Sequence, residues 1–168
     1  LQEAGINIQV LPSMELFLGF DLLGAVKRRE TVGLNDSHYL VVELPHGEYP
    51  LYTERALFEL MIAGYRPVLI HPERNLGIQR RPERMERLAE QGVLAMVTAA
   101  SLLGRFGERA ECLGRLFLTN GIATLVMSDA HNLRGRAPNL PEGLAVARQC
   151  GKVDQAAEMS LLQSMGLH

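Results

Sequence analysis

The chain has 168 residues, of which 47% are hydrophobic and 21% charged, with a formal net charge of −2. That balance predicts one soluble domain with a sizeable core, and it offers no basic field to hold a nucleic-acid backbone. Two cysteines in no ligand or CxxC spacing, Cys112 and Cys150, and the lack of any apolar run of about 18 residues predict free thiols in a reducing cytoplasm and no membrane span.

The first residues, Leu-Gln-Glu-Ala-Gly, lack a Met and read like a helix end running into a strand. No signal peptide is visible, and the expectation is that the N-terminus of the protein lies upstream. Strand-like runs follow at residues 6–11, 39–44, 67–70, 93–98 and 123–127. Several are nearly continuous in apolar residues, as parallel strands buried on both faces are. Helical patterns fill the intervals. Residues 51–63 carry Leu57, Leu60 and Met61 and stop at Gly64. Residues 82–91 begin with Pro82 and stop at Gly92. Residues 108–120 carry Leu113, Leu116 and Phe117 and stop at Gly121. Residues 141–150 end at Gly151, and a last helix is expected over 153–165. This alternation predicts an α/β fold with a parallel sheet. The helix-ending glycines Gly64, Gly92 and Gly121 recur at 28 and 29 residues, close to the roughly 30 residues of one βα unit in a barrel.

Residues able to bind metal fall on the same repeat. Glu15 follows the first expected strand, Glu43 ends the second, His71 ends the third, and Asp129 and His131 end the fifth. The intervals are 28, 28 and 58 residues, which is one, one and two units. The skipped unit ends near Ala99, Ala100 and Ser101. In a parallel barrel every strand C-terminus opens on one face, so these side chains become neighbours around one mouth. Mixed carboxylate and imidazole clusters suit Zn²⁺, Mn²⁺ or Fe²⁺, and two or three such ions can orient a phosphate and lower the pKa of a water. Alone, an acidic residue at a strand end is more often a solvated cap, and the regular placement is what adds weight.

Two arginines stand beside these positions. Arg74 lies three residues past His71, and Arg136 closes the loop after His131. Guanidinium forks suit phosphate. Arg80, Arg81 and Arg84 read as solvated. His46 reads first as a turn residue and second as a rim contact, and His38 reads as surface. Neither cysteine has an arginine six residues on, so the phosphate-cradling Cys-x5-Arg loop is not present, nor is a Gly-x-x-x-x-Gly-Lys loop or a Gly-x-Ser-x-Gly elbow.

The stretches Gln9-Val-Leu-Pro-Ser-Met-Glu15, Leu34-Asn-Asp-Ser-His-Tyr-Leu-Val-Val-Glu43, Pro67-Val-Leu-Ile-His-Pro-Glu-Arg74 and Ser128-Asp-Ala-His-Asn-Leu-Arg-Gly-Arg136 resemble, in order, the motifs of the polymerase-and-histidinol-phosphatase (PHP) type protein-tyrosine phosphatases of bacterial capsule and exopolysaccharide operons. The resemblance implies a distorted, TIM-like parallel βα barrel of seven strands with a trinuclear centre, often manganese. It implies hydrolysis of phosphotyrosine on a tyrosine kinase that regulates polysaccharide synthesis. Glu15, Glu43, His71, Asp129 and His131 are then the metal ligands, and Arg74 and Arg136 hold the phosphate. The family opens with a His-x-His strand, and this chain begins at a point well into the pattern. The expectation is therefore a partial barrel with the first strands absent, open at an edge and prone to homo-oligomerise. Two other readings follow from the same residues: a phosphomonoesterase for a small substrate such as histidinol phosphate, and a non-catalytic scaffold.

Overall fold

The computed structural model describes residues 5, 10–19 and 21–150. Five strands form one sheet: β1 (Glu15–Phe17), β2 (Tyr39–Glu43), β3 (Arg66–Ile70), β4 (Leu94–Thr98) and β5 (Leu125–Met127). All neighbouring pairs are parallel, and the spatial order β1-β2-β3-β4-β5 is the chain order. Helix α1 (Leu22–Lys27) joins β1 to β2, and α2 (Thr53–Ile62) joins β2 to β3. Helices α3 (Leu76–Arg80) and α4 (Glu83–Glu90) precede β4, α5 (Ala99–Leu102) and α6 (Glu108–Thr119) precede β5, and α7 (Leu140–Gln149) follows it.

Sequential order separates this topology from a doubly wound sheet, whose strand order reverses at a switch point. Parallel crossovers share one hand, so an unreversed series lays its helices on one face and curls the sheet towards a barrel. Burial follows this plan. Leu16, Leu40, Val42, Leu69, Ala95 and Val97 pack with Leu57, Leu60, Met85, Leu88 and Phe117 of the helices in one large core. Alternate residues of the same strands point the other way, where Tyr39, Val68 and Leu125 form a second, smaller cluster with Leu34, Leu94 and Met96. Among the described residues β1 and β5 are both edges, so the expected partial barrel is what the sheet forms. No helix among them is long and apolar enough to cross a membrane.

Helix stops behave as the sequence predicts: Gly64, Gly92 and Gly121 have φ of 90°, 96° and 71°, a left-handed conformation that glycine adopts without steric cost. Two expectations change, and a third is not reached. Val10 and Leu11 are not in a strand, residues 6–9 lie outside the described residues, and Glu15 opens β1 instead of following a strand. Leu116 is 40% exposed, and Leu118 takes the buried place on α6. The helix over 153–165 lies outside the described residues.

Helix α7 approaches α5 closely because Gly143 has no side chain: a Cβ there would stand 2.3 Å from the Cβ of Ala99. Gly143→Ala is therefore expected to destabilise the protein by about 1–3 kcal/mol through overpacking, read as a lower denaturation midpoint at an unchanged m-value.

Candidate active site

The strand C-termini carry the cluster. Phe17 is in register with Glu43, and Glu15 with Val41. Glu15 and Glu43 therefore share the inner face of the sheet. His71 reaches the same place by a different route. Val42 pairs with Leu69, so an extended backbone at residue 71 would aim the imidazole at the helix layer. Instead His71 is left-handed, with φ 36° and ψ 47°, and its side chain turns over the mouth. A non-glycine residue in that region costs about 1–2 kcal/mol. Bonds from His71 N–H to the Met96 carbonyl (2.8 Å) and from Arg74 N–H to the His71 carbonyl (2.9 Å) hold the turn.

His71 Nε2 lies 3.4 Å from Glu43 Oε1 and 3.7 Å from Glu15 Oε1, and one donor atom from each of the three falls within 4.8 Å of the others. Two donors bound about 2.1 Å from one ion stand roughly 3.0–3.5 Å apart, so the spacing fits a shared divalent cation. The protonation states fit as well. Burial, and then the Arg74 charge, push the His71 pKa down to about 4, so at neutral pH the ring is uncharged and can offer a lone pair. Burial, and then the negative charges of Glu43 and Asp129, raise the Glu15 pKa, while His131 and Arg136 oppose the rise. A cation among these groups relieves that repulsion.

Beside the trio stands a second group. Asp129, also left-handed (φ 51°), receives Arg74 Nη1 on Oδ2 at 2.8 Å and Arg136 Nη2 on the same oxygen. The Nε atoms of both arginines are buried and bond no group among the described residues. His131 is about half exposed, and its Nδ1 lies 3.0 Å from the Asp129 carbonyl oxygen and 3.7 Å from Oδ1. The loop curls back because Asn132 Oδ1 accepts the backbone N–H groups of Arg134 and Arg136. All seven residues singled out in the sequence therefore lie at one mouth, Glu15, Glu43 and His71 as one cluster and Asp129, His131, Arg74 and Arg136 as the next.

Sequence reasoning missed what holds them. Glu73 is fully buried. Its Oε1 accepts Thr98 N–H (3.1 Å) and Thr98 Oγ1–H (2.9 Å), and Thr98 Oγ1 is 2.7 Å from Ser101 Oγ. Burial raises its pKa, against the hydrogen bonds of Ser101 and Thr98. The skipped fourth strand end thus supplies buried hydroxyls that anchor the His71–Arg74 turn from below. Asn75 caps α3, accepting Ile78 N–H at 2.9 Å and donating to the carbonyls of Pro45 (2.6 Å) and Glu48 (2.7 Å). His46 is in a turn, as the first reading has it; its carbonyl accepts Leu76 N–H across the loops, and it lines a groove with Arg74. Arg80 and Arg81 are exposed. Arg84 is not simply solvated: it stacks 4.5 Å over the Tyr49 ring and donates to the Gly77 carbonyl.

Glu73→Ala is expected to cost about 1–3 kcal/mol, because Thr98 N–H and its hydroxyl lose a buried acceptor. Glu73→Gln keeps the acceptor and is expected to lose under about 1 kcal/mol. Urea melts of the two variants separate these outcomes.

Comparison with known proteins agrees with this geometry. The profile of the family described as capsular polysaccharide synthesis, CpsB/CapC, matches residues 1–165. The chain is 34% identical over 136 residues to the putative tyrosine-protein phosphatase CapC of Staphylococcus aureus, covering 81% of this chain and 52% of that one. It is 33% identical over 141 residues to the tyrosine-protein phosphatase YwqE of Bacillus subtilis, covering 84% and 56%. A chain from the crystal structures of YwqE from Bacillus subtilis and CpsB from Streptococcus pneumoniae, described as unique metal-dependent tyrosine phosphatases, aligns with a TM-score of 0.89 at 28% identity, covering 99% of this chain and 70% of that one. The chain thus spans about half the length of the curated relatives it matches. With the family profile running almost end to end and the fold superposing on its solved members, the chain belongs to the CpsB/CapC family of capsular polysaccharide synthesis.

Proposed function

We propose that this chain carries the metal and phosphate site of a protein-tyrosine phosphatase acting on a bacterial tyrosine kinase that regulates capsular or exopolysaccharide synthesis. The observation that carries the reading is the adjacency of two groups at one strand-end mouth. One is a carboxylate–carboxylate–imidazole cluster of ligand spacing. The other is a pair of arginines converging on one oxygen. The names of the relatives, tyrosine-protein phosphatases, and the description of their structures as metal-dependent support it.

In this reading Glu15, Glu43 and His71 hold one divalent ion, and Asp129 and His131 contribute to a centre of two or three, with Mn²⁺ the ion. Such ions, when bound, lower the pKa of a water and neutralise phosphoryl charge. The chain's own residues do the rest. Arg74 and Arg136 stand side by side on Asp129 Oδ2, and the guanidinium N–H groups not spent on that oxygen hold an anionic phosphate oxygen and stabilise its growing charge. Both side chains are largely sheltered, which strengthens each contact. Asp129 fixes the two forks in the plane they need before substrate arrives. The neutral His71 contributes a lone pair without adding charge. Free thiols at Cys112 and Cys150 suit a cytoplasmic setting.

Elemental analysis of the purified protein, with phosphotyrosyl-peptide turnover measured in added Mn²⁺ on the same sample, tests this. Bound metal and turnover are expected, both lost to a chelator and restored by Mn²⁺, with the phosphopeptide preferred over histidinol phosphate. Protein with neither metal nor turnover, both restored in a version extended at the N-terminus, would place catalysis in a longer protein; an extended version that was also inert would sink the catalytic reading and favour a scaffold. A preference for histidinol phosphate would move the substrate to small phosphomonoesters.

A further inference from the structure

The residue that joins the arginine pair to the surface around it is Phe106. It sits in the short loop between α5 and α6, between Gly104 (φ 75°) and Gly107 (φ 90°), two left-handed positions that let the loop turn sharply and lift one side chain. The loop follows β4 at the same end of the sheet as the site. The Phe106 ring lies 4.1 Å from the Arg74 guanidinium carbon, within cation–π range, yet the residue is 38% exposed. Its ring also separates two hollows. On one side is a small cleft of about 50 Å³ that includes Asp129 and Arg136. On the other is an open groove of about 610 Å³ whose lining includes His46, Arg74, Leu76, Phe106, Glu108 and Arg109.

We propose that Phe106, with the groove it borders, is the specificity-determining subsite for the aromatic ring of an aryl phosphate, a phosphotyrosyl side chain, and so selects aryl over alkyl phosphomonoesters. This rests on the reading of the site as a phosphatase. Arg74 belongs to both the phosphate position and the groove, so an ester held by the two arginines has its organic group beside Phe106. A ring bonded directly to the ester oxygen meets the exposed part of an aromatic whose other face is fixed on a guanidinium. An alkyl ester offers no π-face there. The groove's lining carries two cations, Arg74 and Arg109, against one anion, Glu108, with His46 beside them, and this excess of positive charge complements a phosphopeptide.

The test compares kcat/KM for a phosphotyrosyl peptide and a phosphoseryl peptide of matched sequence, in the metal-loaded wild type, Phe106→Ala, Phe106→Leu and Phe106→Trp. Binding of a peptide carrying non-hydrolysable phosphonodifluoromethyl-phenylalanine is measured alongside by calorimetry. An aromatic contact is worth about 0.5–1.5 kcal/mol beyond burial, so the ratio of the two kcat/KM values is expected to fall about 2- to 12-fold in the alanine and leucine variants. The loss should lie in KM and in analogue affinity, and tryptophan should restore both. Equal loss on the two peptides would overturn the proposal and leave Phe106 as a support for Arg74 alone. An unchanged ratio would overturn it as well. Wild-type protein that neither turns over nor binds either peptide would instead remove the phosphatase reading beneath it.

Discussion

His71→Ala is expected to weaken divalent-metal binding by on the order of 100-fold or more and to remove phosphotyrosyl turnover with it. The imidazole is the neutral member of the Glu15–Glu43–His71 cluster, only 8% exposed and uncharged at neutral pH. Without it two carboxylates remain, one already pushed towards protonation by burial and then by the charges of Glu43 and Asp129. The backbone at residue 71 is left-handed, which asparagine tolerates better than alanine. His71→Asn therefore provides a variant with the fold better preserved, and it should lose metal to the same extent. Mass spectrometry of bound metal and steady-state rates across a Mn²⁺ titration report both effects. Full metal content and turnover in both variants would exclude His71 from the centre.

The second large effect lies in the arginines. Arg136→Ala and Arg74→Ala are each expected to lower kcat roughly 100- to 1000-fold, the loss seen when one preorganised donor to a developing charge is removed. Metal content should be retained, which separates this result from the His71 variants. Lysine is expected to restore only part of the rate, since it keeps the charge but not the fork. The two residues share Asp129 Oδ2, so the double variant should be less impaired than independent losses would give. The Arg74 charge helps to depress the His71 pKa. Removing it therefore raises that pKa towards its ordinary value, and the acid limb of metal binding in Arg74→Ala should move to higher pH. Inhibition by inorganic phosphate, measured as a function of pH, checks both points.

The sequence made the middle of the molecule legible and left its first elements obscure. Strands β2, β3 and β4 lie within one residue of their expected bounds, because each is buried on both faces and reads as an apolar run. β1 is three residues long, Glu-Leu-Phe, and offers no pattern to find. α1 has Gly24 in its middle, a weak helix former, and α5 is a four-residue turn too short for periodicity. That Glu15, Glu43, His71 and Asp129 meet at one mouth was legible in their spacing, which is a property of the βα repeat, and His131, Arg74 and Arg136 were legible only as neighbours of those positions in sequence. Glu73 could not be found that way. Between Pro72 and Arg74 it reads as a surface charge, and part of what covers it is α6 at Gly114, whose Cβ, if present, would stand at ordinary contact distance, 3.6 Å, from Glu73 Cγ. That contact joins residues 41 apart in sequence, and no local pattern carries it. Phe106 was hidden likewise, since its partner Arg74 is on another loop.

The segment from His71 to Asn75 has a consequence for how this protein can vary. Its five side chains look in different directions: His71 to the carboxylates, Pro72 into a buried turn, Glu73 down to Thr98, Arg74 up to Asp129, and Asn75 sideways to cap α3 and tie down the preceding loop. In this strip some positions hold the fold and others line the mouth. Here they alternate along five consecutive residues. A substitution that loosens Glu73 or Asn75 displaces the His71 imidazole and the Arg74 guanidinium together. This strip therefore has little room for neutral change, and new specificities have to be explored in the loops around it, the one bearing Phe106 first among them.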